Sequence, residues 1–209
     1  MVSSDPYFKL RPPQPTSEDE ICKCEDVKPV KLMQALGYNP LHCIDCNLEV
    51  LPESLELSES LAEDIAEWAQ LYQAIDTLWL DSGPYESWAK DQLSDIESPV
   101  NQRGLDVRKK LEGIRPCYYW YFQDESADDF EAATICPSCR RPLTPYLQGI
   151  FPQLICQSCK IIMFGQRRST NSISTGSRKN PWRRLCQHRR HVACPDAKRR
   201  SASPQWMNA

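Results

Sequence analysis

From Leu61 onward, apolar residues recur at steps of three and four: Leu61, Ile65, Trp68, Leu71, Tyr72, Ile75, Leu78 and Trp79. That spacing lines one side of a helix. Ser60 followed by Glu63 has the form of a capping box and predicts the start. Gly83-Pro84 predicts the stop, a left-handed cap followed by a helix breaker. A second helix is expected over Tyr85–Leu93. A third should open with Ser98 as its cap and Pro99 in its first turn, and run to about Glu112 before Gly113 and Pro116. Upstream, Glu18 to Leu36 also reads as a helix, with Gly37 as its stop.

Other segments follow different rules. Cys117-Tyr-Tyr-Trp-Tyr-Phe122 is a dense aromatic run and predicts a strand. Asn39-Pro40 marks a turn, and the LHCIDCNLEV that follows combines a cysteine pair with an apolar stretch suited to a short strand. Short apolar pieces at Phe151–Ile155 and Ile161–Phe164 lie beside further cysteine pairs. Residues 1–16, with four prolines, predict a flexible arm. DESADDFE is an acidic connector. After Gly165 no amphipathic period remains, and the tail is expected to be disordered.

Charge divides the chain. The 209 residues carry a formal net charge of −3, but residues 165–209 hold eleven Lys and Arg against one acid, Asp196, a net of +10. Residues 1–131 stand at −16, with eleven bases against twenty-seven acids. An acidic body repels a phosphate backbone. No apolar run approaches the ~20 residues that span a bilayer. MVSSDPYFKLRPPQP also lacks the basic-then-apolar layout of a secretory signal. A cytoplasmic setting with no membrane partner is expected.

In a reducing compartment, eleven cysteines point to metal ligation rather than disulfides. Cys136, Cys139, Cys156 and Cys159 form two Cys-x-x-Cys pairs with sixteen residues between them. Each pair delivers two thiolates from one tight turn, and two such knuckles close a tetrahedral zinc site, although ligand type alone also admits an iron–sulfur cluster. With four protein ligands no position stays open for a catalytic water, so the expected zinc is structural. A segment this small needs such a staple. Arg140 and Lys160 stand where a knuckle favours Gly, because the turn prefers positive φ. Both knuckles therefore display a cation.

Cys22, Cys24, Cys43 and Cys46 form a candidate second zinc site. Its one-residue spacer between Cys22 and Cys24 makes a poor knuckle, and buried, inert thiols are the alternative, with His42 hydrogen-bonded at a turn. Cys117 reads as a small core residue. In the tail, Cys186, His188, His191 and Cys194 have suitable ligand types but arginine-rich surroundings.

The fold class predicted is α+β. A mainly helical acidic domain with a short aromatic strand (17–131) precedes a small β zinc ribbon (132–164) and a disordered basic tail (165–209). No paired carboxylates, Gly-rich phosphate loop or Ser/His/Asp set stands out, so a non-enzymatic role is expected, with no small-molecule substrate. Glu63, Asp64 and Glu67 lie off the apolar side of their helix and read as solvated surface. The aromatics of Tyr118–Phe122 could stack bases, but core packing is the better expectation in an acidic body.

PLHCIDCNLEVLPESLEL, WAQLYQAIDTLWL, QLSDIESPVNQRGLDVRKKLE, PCYYWYF and CPSC…CQSC occur in that order. This succession, over about Asn39 to Lys160, resembles an uncharacterised, mainly bacterial family of zinc-ribbon-containing, candidate nucleic-acid-binding proteins. The resemblance implies Cys136, Cys139, Cys156 and Cys159 as the ribbon's ligands and Cys43 and Cys46 as a family feature of unknown role. Arg140 departs from the family's usual Gly. The basic tail continues past the family's usual end, and is expected to be non-native.

Two partner classes follow. One is nucleic acid, touched by Arg140, Arg141 and Lys160. Those three cations shrink to a net of about +1 once a zinc tetrathiolate adds its formal charge of about −2. The other is a protein with a basic surface, met by the acidic body as an adaptor or toxin-neutralising partner.

Overall fold

Ser58 caps the longest helix, α1 (Glu59–Asp81). Its hydroxyl accepts from the Leu61 N–H at 3.3 Å. The start is therefore earlier than the Ser60/Glu63 pattern predicts. Leu61, Ile65, Trp68, Tyr72 and Ile75 form the buried stripe. Gly83 ends the segment at φ 63°, a conformation that L side chains disfavour. Helices α2 (Glu86–Ser94) and α3 (Pro99–Glu112) follow. Ser98 caps α3 and Pro99 opens it, as the sequence predicts.

The computed structural model describes residues 16–25, 28–34, 39–126, 130–147 and 152–166. The segment up to residue 15, where the sequence predicts an arm, Gly37, and the tail from residue 167, including Cys186, His188, His191 and Cys194, lie outside these residues.

The helix expected over Glu18–Leu36 does not form among the described residues. Glu18–Glu20 is a single 3₁₀ turn, and β1 (Val30–Leu32) is a strand. Pro29 accounts for this: inside a helix it removes a hydrogen bond and clashes with the preceding turn, at about 3 kcal/mol. A second correction concerns LHCIDCNLEV. Its strand, β2 (Leu41–Cys43), leads into the cysteine pair rather than following it.

With β3 (Cys117–Trp120), β4 (Thr144–Leu147), β5 (Gln153–Cys156) and β6 (Ile161–Phe164), these strands form one six-stranded mixed sheet in the order β2-β1-β3-β6-β5-β4. The aromatic strand β3 is central and pairs in parallel with β1 (Val30↔Cys117) and with β6 (Tyr119↔Ile161). The ribbon hairpin therefore extends the same sheet that β1 and β2 begin. The fold is α+β.

Alternation sorts the sheet residues onto two faces. Val30, Leu32, Cys117, Tyr119, Ile161 and Met163 join the helices in the main core. Tyr118, Ile155 and Ile162 form a second, smaller core with Ile44, against which Trp120 and Tyr146 pack. The aromatics of β3 are thus core residues on both sides. Tyr118 and Tyr119 are buried, and Trp120 packs edge-on against Phe164 with centroids 4.5 Å apart.

Asn101, fully buried on α3, ties the helices to the sheet. Its amide donates to Leu93 O at 2.9 Å and Asp95 O at 2.7 Å, and its carbonyl accepts from Tyr119 OH at 2.7 Å. Trp68 Nε1 donates to Val100 O at 3.1 Å. These buried side chains meet the demand that burial places on polar groups. No helix among the described residues is long and apolar enough to cross a membrane.

Candidate metal centres

Three Cys-x-x-Cys turns occur in the described chain, and the residue after each second Cys adopts positive φ: Asn47 at 63°, Arg140 at 60° and Lys160 at 55°. The two turns that open on Cys43 and Cys136 share a further pattern. Asn47 N–H donates to Cys43 O at 3.1 Å, and Arg140 N–H to Cys136 O at 3.0 Å. Cys43 N–H donates to Leu48 O at 2.9 Å, and Cys136 N–H to Arg141 O at 2.8 Å. Each turn is flanked by an isolated antiparallel bridge, His42↔Glu49 and Ile135↔Pro142. Cys43–Cys46 is therefore a knuckle of the same build as Cys136–Cys139.

The structure brings the eight cysteines into two groups: Cys22, Cys24, Cys43 and Cys46, and Cys136, Cys139, Cys156 and Cys159. Within each group the four Sγ atoms lie within 4.8 Å of one another. Cys139 Sγ and Cys156 Sγ are 3.6 Å apart. A tetrahedral zinc with bonds of about 2.3 Å places its sulfurs about 3.8 Å apart, so both groups fit the ion in donor type, number and separation. All eight are free thiols.

Cys22 and Cys24 reach their group without a turn. The segment lies beside Glu49 through a parallel Ile21↔Glu49 bridge, with Cys22 N–H donating to Glu49 O at 2.7 Å. On extended backbone, residues two apart point to one side. A Cys-x-Cys pair there presents both sulfurs to the facing knuckle. The one-residue spacer is a defect only for a turn.

Thiol acidity varies within the ribbon group. The Arg141 N–H and guanidinium bring Cys139 down to about 6. Burial pushes Cys136 up to about 12. A metal ion would have to supply the stabilisation that burial withholds from the Cys136 thiolate. Cys117 is a buried core residue, pushed up to about 12 by burial.

Sequence reasoning anticipated a turn hydrogen bond for His42 but missed Lys31 and Gln153 as supports of the first knuckle. Lys31 and Gln153 are each 1% exposed. The Lys31 ammonium donates to Asn47 Oδ1, and Gln153 Nε2 donates to the same oxygen at 2.9 Å. His42 Nδ1 donates to Asn47 O at 3.2 Å. Burial lowers Lys31 to about 7, against the pull of Cys43 and Cys46 toward the charged form. Burial, then the Lys31 charge, brings His42 down to about 4. The available signal was Asn47 itself, since Asn tolerates the left-handed region.

The three ribbon cations are differently engaged. The Arg141 guanidinium lies beside Cys139, which favours its charged form. The Lys160 ammonium lies over the Tyr118 ring, 5.1 Å from its centroid. Arg140 is exposed.

Residues 33–122 match the family Domain of unknown function (DUF2310). That segment holds the first knuckle, the three helices and β3, and ends before the ribbon. The chain is also similar to two uncharacterized proteins of Haemophilus influenzae, each 26% identical over 106 residues. Both alignments take in 48% of this chain, and cover 52% of one relative and 40% of the other. The chain thus spans about half or less of the length of the curated relatives it matches. No solved structure matches it.

Proposed function

We propose that this chain is a non-enzymatic zinc protein whose two four-cysteine centres are structural supports of one sheet. The observation that carries this reading is the convergence of eight cysteines into two tetrads with zinc-compatible spacing. Four thiolates complete each coordination sphere, which suits a structural rather than a hydrolytic metal. A reducing, cytoplasmic setting keeps such thiols available. Elemental analysis of the purified chain should give two zinc ions per molecule and one in Cys136→Ser. A value of two in that variant would contradict the assignment.

For a partner, the acidic surface supports a protein with a basic face over nucleic acid. Residues 1–131 carry the net of −16, and Arg141 and Lys160 are turned toward Cys139 and Tyr118. Nucleic-acid binding through Arg140, Arg141 and Lys160 is the second reading. It predicts that the double variant Arg140→Glu, Lys160→Glu in the full chain weakens salt-dependent binding to single-stranded DNA. Unchanged binding would assign any affinity to another part of the chain.

A further inference from the structure

The two centres differ in access. In the ribbon group Cys136 and Cys156 are buried and Cys139 and Cys159 half-buried, and every ligand comes from a hydrogen-bonded turn. In the other group Cys24 is exposed and Cys22 half-buried. Cys22, Cys24 and Cys43 line a surface cavity of about 220 Å³ together with Leu51, one acid, Glu25, and two bases, Lys28 and Arg115. Lys28 forms an ion pair with Asp45 at 3.5 Å. The Arg115 guanidinium has no side-chain partner among the described residues, and it lines the cavity that leads to the sulfurs.

We propose that the Cys22/Cys24/Cys43/Cys46 centre is an exchangeable zinc site that trades its metal with small anionic thiols or chelators entering this cavity. The inference rests on the reading that both tetrads hold zinc, and assigns them different work. Replacing a ligand at a closed four-coordinate zinc requires an incoming donor to reach the ion as one thiolate leaves. Cys24 is the ligand placed to leave, because its side chain already faces solvent. In the first step the Zn–S bond to Cys24 breaks and a Zn–S bond to the incoming thiol forms. The proton released by that thiol passes to the freed Cys24 thiolate, and zinc remains Zn²⁺ throughout. Repetition with further donors removes the ion, and the reverse sequence loads it. Arg115 attracts the negative charge of the incoming ligand, since a guanidinium offers a planar fork matched to carboxylates. The ribbon centre keeps its ion over the same period.

The test is zinc release from the full chain, followed by stopped flow with EDTA and, separately, with uncharged 1,10-phenanthroline. Zinc content is measured first. A content of one per chain would overturn the two-centre reading, and the exchange proposal with it. With two per chain, release should be biphasic, the fast equivalent leaving at least tenfold faster than the slow one. Cys24→Ser should abolish the fast phase and leave the slow one, while Cys139→Ser should do the opposite. Arg115→Gln should slow the fast phase with EDTA severalfold and leave the phenanthroline rate unchanged. A single phase from a two-zinc protein, or a fast phase that survives Cys24→Ser and disappears in Cys139→Ser, would overturn the exchange proposal alone. Equal slowing with both chelators would overturn the role of Arg115.

Discussion

A Cβ added to Gly104 would stand 2.6 Å from Trp68 Nε1 and closer still to the Tyr119 ring. Those neighbours are the fully buried indole of α1 and the central aromatic of β3, so neither can give way without moving an element. Gly104→Ala should therefore destabilise the chain by about 1–3 kcal/mol, as overpacking does, read as a lower midpoint in denaturant unfolding. An unchanged midpoint would mean that α3 does not rest on β3 as described. Lys31 poses the opposite problem, a buried ammonium whose hydrogen bond goes to Asn47 rather than to a carboxylate. Burial disfavours its charge, and the negative charge that Cys43 and Cys46 would carry as thiolates pulls the other way. A zinc tetrathiolate beside it would strengthen that pull. Lys31→Met should lower zinc affinity at the Cys22/Cys24/Cys43/Cys46 centre by about tenfold and leave the ribbon centre unchanged. Chelator competition on Cys139→Ser, with and without Lys31→Met, would measure it; equal affinities would remove Lys31 from that role.

At the scale of elements, the ribbon strands reach across to the first knuckle at two points. Tyr146 OH on β4 donates to Asp45 Oδ1 at 2.6 Å, and Gln153 Nε2 on β5 donates to Asn47 Oδ1 at 2.9 Å. Asp45 lies inside the Cys43–Cys46 turn and Asn47 directly follows it. Removing both links in Tyr146→Phe, Gln153→Leu should weaken zinc at the first knuckle by about tenfold, while each single change costs less. Strict independence of the two centres from this hairpin would show as unchanged affinity. The helices were largely legible because their signals are local. Ser98-Pro99 starts α3 where expected, and the apolar steps from Leu61 mark the buried side of α1. The capping residue of α1 is ambiguous in sequence because Ser58 and Ser60 both precede an apolar run, and only the bond to Leu61 N–H separates them. Strand β1 was not legible. It has three residues, all buried, and one of them is Lys31, so neither alternation nor apolar length marks it.

For the whole molecule, what the sequence hid was long-range pairing. The parallel contacts of β3 with β1 and β6 join residues far apart in the chain, and local patterning carries no information about them. The ribbon tetrad was readable from spacing alone, since both halves are turns. The other tetrad was readable only in part, because Cys22 and Cys24 depend on a bridge between Ile21 and Glu49. Both tetrads belong to one sheet of strands three or four residues long, and strands this short draw little stability from their own pairing. Metal ligation at both tetrads would supply what the strands lack. Zinc K-edge X-ray absorption on the full chain at two equivalents of bound zinc would read that ligation at both sites. Two structural centres require an all-sulfur shell of four ligands at about 2.3 Å; nitrogen or oxygen in the shell, or failure to bind a second equivalent, would rule them out.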